Sequence, residues 1–337
     1  MRIPASLLAI ALAGCPSADV EEEVGDPRFD NSVTTLACPD PGALPFPRST
    51  EEFAHEDSET LSDDRRPGFA GDDLIGPPAD EVRVRGWMGH HLEWDAWGYE
   101  DEDVGVWGWT SDAGWVEHGR VATRADDSAG DYRLNVDGDA LPSGDGEFFG
   151  VLEGSGACSR HGIFPWPAGT QVVIADLDGT LTVGDAELFA WFDDAEYVPR
   201  IWEDADTLLQ TWEAKGYRVV YLTGRPHPLR GWTRAWMDDL ELPYGPLKTA
   251  PELLGSFEAV QYKSGFILEL QDELGWEIVA AYGNSAGDLE GYEQGGIPKE
   301  ITFSIGPDSG ADGTVGVGDA GWTQHIADFV EPHPDAD

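Results

Sequence analysis

Gln171-Val172-Val173-Ile174-Ala175-Asp176-Leu177-Asp178-Gly179-Thr180-Leu181-Thr182 is the stretch on which the reading of this chain turns. A compact apolar run gives way at once to two carboxylates, a glycine and two hydroxyls, the pattern of a buried strand ending in a polar loop. Side chains alternate along an extended backbone, so Asp176 and Asp178 can project to the same side, two carboxylates close together. Downstream, strands and helices alternate. Asp204 to Ala214, Arg230 to Leu240 and Lys263 to Leu274 have helical spacing, whereas Arg218 to Leu222, Glu277 to Tyr282 and Ile301 to Ser304 read as strands. This alternation predicts an α/β domain over residues 168–331, a Rossmann-like parallel sheet with helices on both faces. In that architecture ligands lie at the carboxyl ends of the strands.

Polar clusters stand at those ends. The second strand runs into Thr223-Gly224-Arg225, read as a hydroxyl and turn amides leading into a helix N-terminus, a setting for an oxyanion. Lys263 is read as opening a helix. The strand to Tyr282 is followed by Gly283-Asn284-Ser285-Ala286-Gly287-Asp288, an amide and a carboxylate at the next strand edge. Each cluster also has a purely structural reading: Thr223 as a helix cap, Lys263 as a solvated first-turn residue, Asp288 as a charge favoured at a helix N-terminus.

The rest of the chain sets the context. Lys and Arg number 20 against 65 Asp and Glu, a formal net charge of −45. That balance excludes gripping a nucleic acid and opposes unaided docking on an anionic membrane. Apolar residues at 41%, with 14 Trp and 13 Phe, nevertheless provide a core. Short runs rich in Val, Trp and Tyr between Glu81 and Cys158 predict a small β-sandwich over residues 80–160. Asp137-Gly138-Asp139 is better explained as turn acidity than as a calcium loop, and His90-His91 has no partner at zinc-ligand spacing. Residues 16–79 read as an acidic, Pro-rich spacer and 332–337 as a disordered tail. Residues 1–15 read as a secretory signal too short to span a bilayer. Leu12-Ala13-Gly14-Cys15 has the form of the bacterial lipoprotein cleavage box, with Cys15 the lipidation site. The expected location is therefore the bacterial cell envelope outside the cytoplasm, with a membrane anchor; an ordinary signal peptide is the alternative. Cys38 and Cys158 are either a disulfide or two buried thiols.

Four polar clusters in this order, each just after an apolar strand, resemble the motifs of the haloacid dehalogenase-like phosphatase superfamily. Val220-Tyr221-Leu222-Thr223-Gly224-Arg225-Pro226, Tyr262-Lys263 and the run from Ala281 to Tyr292 are similar to the catalytic domain of lipin-type phosphatidate phosphatases. They also resemble the C-terminal domain of the membrane-associated phosphatidylinositol transfer (Nir) proteins. The Thr-Gly-Arg form is nearer the Nir proteins, and the intact acidic set nearer the lipins. Both families place an immunoglobulin-like β-sandwich beside this domain.

The resemblance implies Asp176 as nucleophile and Asp178 as general acid then base in an aspartyl-phosphate mechanism. It implies Mg²⁺ held by Asp176, the Asp178 carbonyl, Asp288 and Asn284. Thr223, with Thr180, Gly224 and Arg225, would receive the phosphate, and Lys263 would offset its charge. In this acidic chain Arg225 is equally open to pairing with a carboxylate. Connections too short for a large cap leave an open site, which suits a phosphomonoester or lipid phosphate. Two other functions stand beside this one: a non-catalytic phosphatidic-acid-binding module, and a surface phosphatase for soluble phosphomonoesters.

Overall fold

The computed structural model describes residues 52–63, 66–92, 95–110, 113–194, 197–252 and 254–336. The expected signal, Cys15, Cys38 and most of the expected spacer lie outside them. Two sheets come first. One contains β1 (Arg66–Gly71), β3 (Glu81–Leu92), β4 (Asp95–Gly98) and β7 (Asp131–Asp137). The other contains β2 (Leu74–Ile75), β5 (Asp103–Thr110), β6 (Gly114–Ala122), β8 (Gly146–Leu152) and β9 (Cys158–Phe164). Val84 and Met88 on one sheet face Val106, Phe148 and Leu152 on the other, so a shared apolar layer makes this a two-layer sandwich.

The sandwich is wider than its expected bounds of 80–160. Residues 66–71 and 74–75, assigned to the spacer, are strands: β1 pairs with β3 from Arg66 opposite His91 to Gly71 opposite Gly86. An Arg-Pro-Gly start hid this strand, because proline suits an edge, where its missing N–H is not needed. At the other end β9 carries the sandwich to Phe164. Cys158 within it is buried and disulfide-bonded; its expected partner, Cys38, lies outside the described residues.

The second half is a six-stranded sheet in the order β12 (Leu247–Ala250), β11 (Arg218–Pro226), β10 (Gln171–Ala175), β13 (Glu277–Gly283), β14 (Thr302–Ile305), β15 (Val315–Gly318). Every pairing in it is parallel. Alternate residues of β10 feed two cores. Val173 and Ala175 pack with Leu208, Leu209 and Trp212 of the helix Ala205–Ala214. Val172 and Ile174 pack with Phe266 and Ile267 of the helix Ser256–Leu268. From β10 the chain winds outward through β11 and β12, then returns to place β13 on the other side. That reversal opens a crevice at the carboxyl end of β10.

Three expectations are corrected here. The helix expected from Lys263 begins at Ser256, after Gly255, so Lys263 is a buried interior residue rather than a solvated first-turn one. Strand β11 continues through Thr223-Gly224-Arg225 to Pro226, and the next α-helix starts only at Arg230, so Thr223 caps no helix. The expected disordered tail is docked: the Tyr217 hydroxyl donates to the Pro334 carbonyl at 3.0 Å, and the Ala336 amide donates to Lys215 at 2.8 Å. Its polar composition gave no sign of these backbone bonds.

Asp73 joins the two domains. Its carboxylate, between β1 and β2, contacts Arg230 at 2.7 Å and Arg234 at 2.6 Å on the helix Arg230–Asp239. It also accepts the amides of Leu247 at 2.7 Å and Gly162 at 2.9 Å. Burial disfavours the charge, but the two guanidiniums hold this carboxyl below its usual value. Asp73→Ala would strand two buried cations and should cost about 3–5 kcal/mol, read as a shift of the urea midpoint; a loss under about 1 kcal/mol would contradict the clamp.

His161 in β9 gives a pH prediction. Its Nδ1 bonds the Asp72 carbonyl and its Nε2 the Tyr132 hydroxyl, an arrangement suited to the neutral ring. Burial lowers its pKa from 6.5 to about 4. Between those values the unfolded chain binds a proton that the native one refuses, so stability falls as pH falls through the window. The loss approaches about 3 kcal/mol for this histidine. Ring resonances of His161 followed by NMR should stay neutral until pH approaches 4; titration near 6.5 would contradict this.

Candidate active site

The crevice at the end of β10 is lined by residues from three neighbouring strand ends. Asp176 follows β10 directly, its amide bonded to the Tyr282 carbonyl of β13 at 3.1 Å, so the sheet ladder itself aims the first carboxylate. The loop that follows is fastened from several sides. The Thr182 hydroxyl accepts the Gly179 amide at 2.9 Å, Trp202 donates to the Gly179 carbonyl at 3.0 Å, and Trp322 donates to the Thr180 carbonyl at 3.2 Å. Gly179 has φ +78, and a Cβ there would lie 2.0 Å from the Asn284 amide nitrogen. Only glycine allows this turn to pass so close beneath Asn284.

Lys263 stands at the centre. Its ammonium contacts Asp176 Oδ1 at 2.7 Å and also Asp288 Oδ1, with all three side chains 5% exposed. Burial alone would favour losing the proton, yet the two carboxylates hold Lys263 well above its ordinary pKa. One ammonium does not balance the cluster. The Asp176 carboxyl is pushed up to about 8, first by burial and then by the charge of Asp288, with Lys263 pulling the other way.

Asp288 is tied at both oxygens. It lies in the first turn of the helix Ala286–Gln294, where Ser285 and Asp288 form a capping box. Its Oδ2 accepts from the amides of Asn284 at 3.2 Å and Ser285 at 3.0 Å, and from the Ser285 hydroxyl at 2.8 Å. Burial opposes its ionisation, but Lys263 and Ser285 outweigh it and keep the carboxyl below its usual value. The helix-terminus reading and the site reading of Asp288 therefore hold together. Thr180, fully buried, aims its hydroxyl at Asp176 Oδ2 and Asn284 Oδ1, each at 3.1 Å.

Asp178 is half-buried and turned to β11. Arg225 grips both its oxygens, Nε to Oδ2 at 2.9 Å and Nη2 to Oδ1 at 2.8 Å. The Arg225 side chain has no exposed surface and is flanked by the Trp191 and Trp236 rings at 5.6 and 5.1 Å. This corrects its expected place among the substrate-binding residues: the guanidinium is spent on a carboxylate inside the protein. The Thr223 hydroxyl reaches Asp178 Oδ2 at 3.4 Å and accepts the Arg225 amide at 3.2 Å. Beside it, a Cβ added to Gly224 would meet nothing within 4 Å, so the crevice is open there.

The sequence reading missed Asp185. Although the residue as a whole is exposed, its carboxylate faces Asn284, and desolvation followed by the charges of Asp178 and Asp288 raises its pKa to about 6. Its only signal was a place seven residues after Asp178, lost in an acidic background. The insertion that carries it is small, a helix Ala186–Asp193 whose buried Glu187 bonds the Tyr197 hydroxyl and Arg200. Among the described residues of this connection no large cap stands over the crevice.

Among the described residues no three His, Cys, Asp or Glu side chains form a ready metal-ligand cluster. Lys263 links Asp176 and Asp288, and the Thr180 hydroxyl links Asp176 and Asn284, so three side chains with oxygen donors meet here. Such a set fits a small hard cation that keeps several waters.

The family model "PITM 1-3, LNS2 domain" matches residues 173–306. Membrane-associated phosphatidylinositol transfer protein 3 of Mus musculus is 25% identical over 156 residues, 46% of this chain and 15% of that protein. Membrane-associated phosphatidylinositol transfer protein 1 of Homo sapiens is 27% identical over 138 residues, 41% of this chain and 10% of that protein. Phosphatidate phosphatase LPIN2 of Mus musculus is 28% identical over 174 residues, 45% of this chain and 19% of that protein. The chain thus spans between 10% and 19% of the length of these curated relatives. A domain related to both groups is present, and the residues that the family model matches include those of the crevice from Asp176 to Asp288.

Replacing Lys263 by Met should expose the cost of the cluster. Two buried carboxylates would lose their shared cation, lowering stability by about 3–5 kcal/mol in urea titrations. Adding Asp176→Asn should restore part of that loss; no recovery would mean that Lys263 stabilises through packing alone.

Proposed function

We propose that this chain is a Mg²⁺-dependent phosphomonoester hydrolase, haloacid dehalogenase-like, working through an aspartyl-phosphate on Asp176, with phosphatidate or another lipid phosphate as substrate. The observation that carries the proposal is the buried set of Asp176, Lys263 and Asp288 at the switch point, with Asp178 two residues away on the same fastened loop. A structural ion pair needs one carboxylate per cation. This cluster gathers a surplus of them beside an open crevice.

In the proposed reaction an Asp176 oxygen attacks phosphorus while the bond to the leaving alkoxide breaks. Asp178, which must enter this step protonated, gives that alkoxide its proton. Asp178 then takes a proton from water, the water oxygen attacks phosphorus, and the bond to Asp176 breaks to release phosphate. Asp176, the Asp178 carbonyl, Asp288 and Asn284 would hold Mg²⁺, which supplies positive charge to the transferring phosphoryl oxygens. Thr180 orients Asp176. Thr223, next to the open position of Gly224, would receive phosphate oxygens, and Lys263 would offset charge on the nucleophile. Arg225 holds Asp178 in place as a positioning residue.

A lipid substrate is supported by the similarity to a protein named for phosphatidate hydrolysis and to others named for phosphatidylinositol transfer. The small insertion between Thr182 and Asp204 leaves room for a bulky ester. An anchor at Cys15 outside the cytoplasm, and an immunoglobulin-like kinship of the sandwich, belong to the same proposal. Their support is the Leu12-to-Cys15 box and the two packed sheets.

Phosphate release by the purified chain, with and without Mg²⁺, from phosphatidate micelles and from small phosphomonoesters is the decisive measurement. Mg²⁺-dependent release is expected, with Asp176→Asn lowering it by ~10³-fold or more. No release by the native chain from any substrate would sink the enzyme reading, and phosphatidate binding that survives Asp176→Asn would then favour the non-catalytic module. Equal turnover of small esters without lipid would assign the site to soluble phosphomonoesters.

A further inference from the structure

The chain's charge is so one-sided that its basic residues should all be neutralised by neighbours. From Arg83 onward, among the described residues, every Lys and Arg but Arg83, Arg85 and Lys248 is ion-paired to a carboxylate at 3.5 Å or closer. Arg83 hydrogen-bonds the Asn135 side-chain carbonyl at 3.1 Å, and the Lys248 ammonium lies over the Phe266 ring at 4.8 Å. These three come from different domains, two from β3 of the sandwich and one from β12 of the parallel sheet. They line one cavity of about 390 Å³ at the seam.

A second cavity, of about 620 Å³, shares Asp72, Arg85, Lys248 and Thr249 with the first. Into it faces Tyr262, whose hydroxyl is buried with no hydrogen-bond partner. A buried donor without a partner carries a desolvation cost that a bound acceptor would remove. Three like charges gathered in a concave, partly low-dielectric wall repel one another and focus a positive potential within a strongly negative molecule. Carboxylates are present too. Asp73 is consumed by Arg230 and Arg234, Asp72 lies 3.6 Å from His227 Nδ1, Glu269 lines the first cavity, and Asp127 and Asp131 line the second, Asp131 paired with Arg133.

We propose that Arg83, Arg85 and Lys248 form a second anion site at the domain seam, separate from the crevice of Asp176, that binds a phosphate group. Two guanidiniums and an ammonium offer the forked and point-charge donors that phosphate oxygens take, and the Tyr262 hydroxyl adds a donor from the adjoining cavity. Because its cations come from both domains, occupancy would brace the sandwich against the parallel sheet. The site does not depend on catalysis at Asp176.

The test uses the full chain and two probes. Inorganic phosphate is titrated by calorimetry without Mg²⁺, and binding to phosphatidylcholine vesicles with and without phosphatidate is measured by flotation. Arg85→Gln/Lys248→Met keeps the stem of residue 248 over Phe266, and Arg120→Ala is the control for a paired surface charge. The double variant should weaken phosphate or phosphatidate-vesicle binding by at least about tenfold. Its turnover of a small phosphomonoester should be unchanged, as should all properties of Arg120→Ala. Loss with free phosphate assigns the site to soluble phosphates, and loss only with phosphatidate vesicles assigns it to a lipid headgroup. Binding of both probes by the double variant as tight as by the native chain, or no binding of either probe by the native chain, overturns the proposal. If a poorly folded double variant gives a lowered melting temperature, Arg85→Gln alone, at an exposed position, takes its place under the same criteria. Phosphate release that fails in the native chain while seam binding persists would refute the hydrolase and leave this site standing.

Discussion

The ammonium of Lys263 between Asp176 and Asp288 is the contact on which the rest of the molecule depends. Three buried charges are costly to remove from water, and they persist only because each satisfies another. Through them the loop after β10, the helix Ser256–Leu268 and the helix Ala286–Gln294 are held in one geometry. The capping box of Ser285 then fixes Asp288, and the ladder bond from Asp176 to Tyr282 fixes the other end. A stable core and the proposed reactive centre are here the same set of atoms.

Around that contact the molecule separates what must be rigid from what must be reached. Trp202, Trp322 and Thr182 hold the backbone of the acidic loop, so Asp176 and Asp178 need no slack of their own. Arg225, enclosed by Trp191 and Trp236, meets Asp178 from beneath. The side of Gly224 is open, and Asp185 is exposed. A guanidinium placed in solvent would have been free to meet a substrate; one with no exposed surface acts through the carboxylate it grips.

Charge organises the larger scale as well. With 65 acidic residues against 20 basic ones, a cation rarely escapes a carboxylate, and the pairs of Arg230 and Arg234 with Asp73 make the domain seam a buried ionic joint. Arg83, Arg85 and Lys248 depart from this rule beside that joint. The net charge that excludes a polyanion over a broad surface is compatible with single phosphates held at concave points.

Much of this was legible in the letters. The apolar run before Asp176 and the alternation after it determined a parallel α/β sheet, because periodicity reports which faces are buried. The pair Asp176 and Asp178, with Thr223, Asn284 and Asp288, could be placed at strand ends for the same reason. Period and spacing describe one segment at a time, and the remainder depended on what meets across the fold. Lys263 looked like the first turn of a helix because the residues before it, Phe257 among them, do not carry a regular apolar stripe; the helix is held by contacts on its far side. Arg225 could serve substrate or carboxylate until β11 was seen to continue to Pro226 and point it at Asp178. Asp185 was one acid among many until the loop turned its carboxylate toward Asn284. Sequence alone determined which residues could ionise, coordinate or donate. Tertiary structure decided which of them meet, since burial and distance set the strength of every charge and belong to no single segment of the chain.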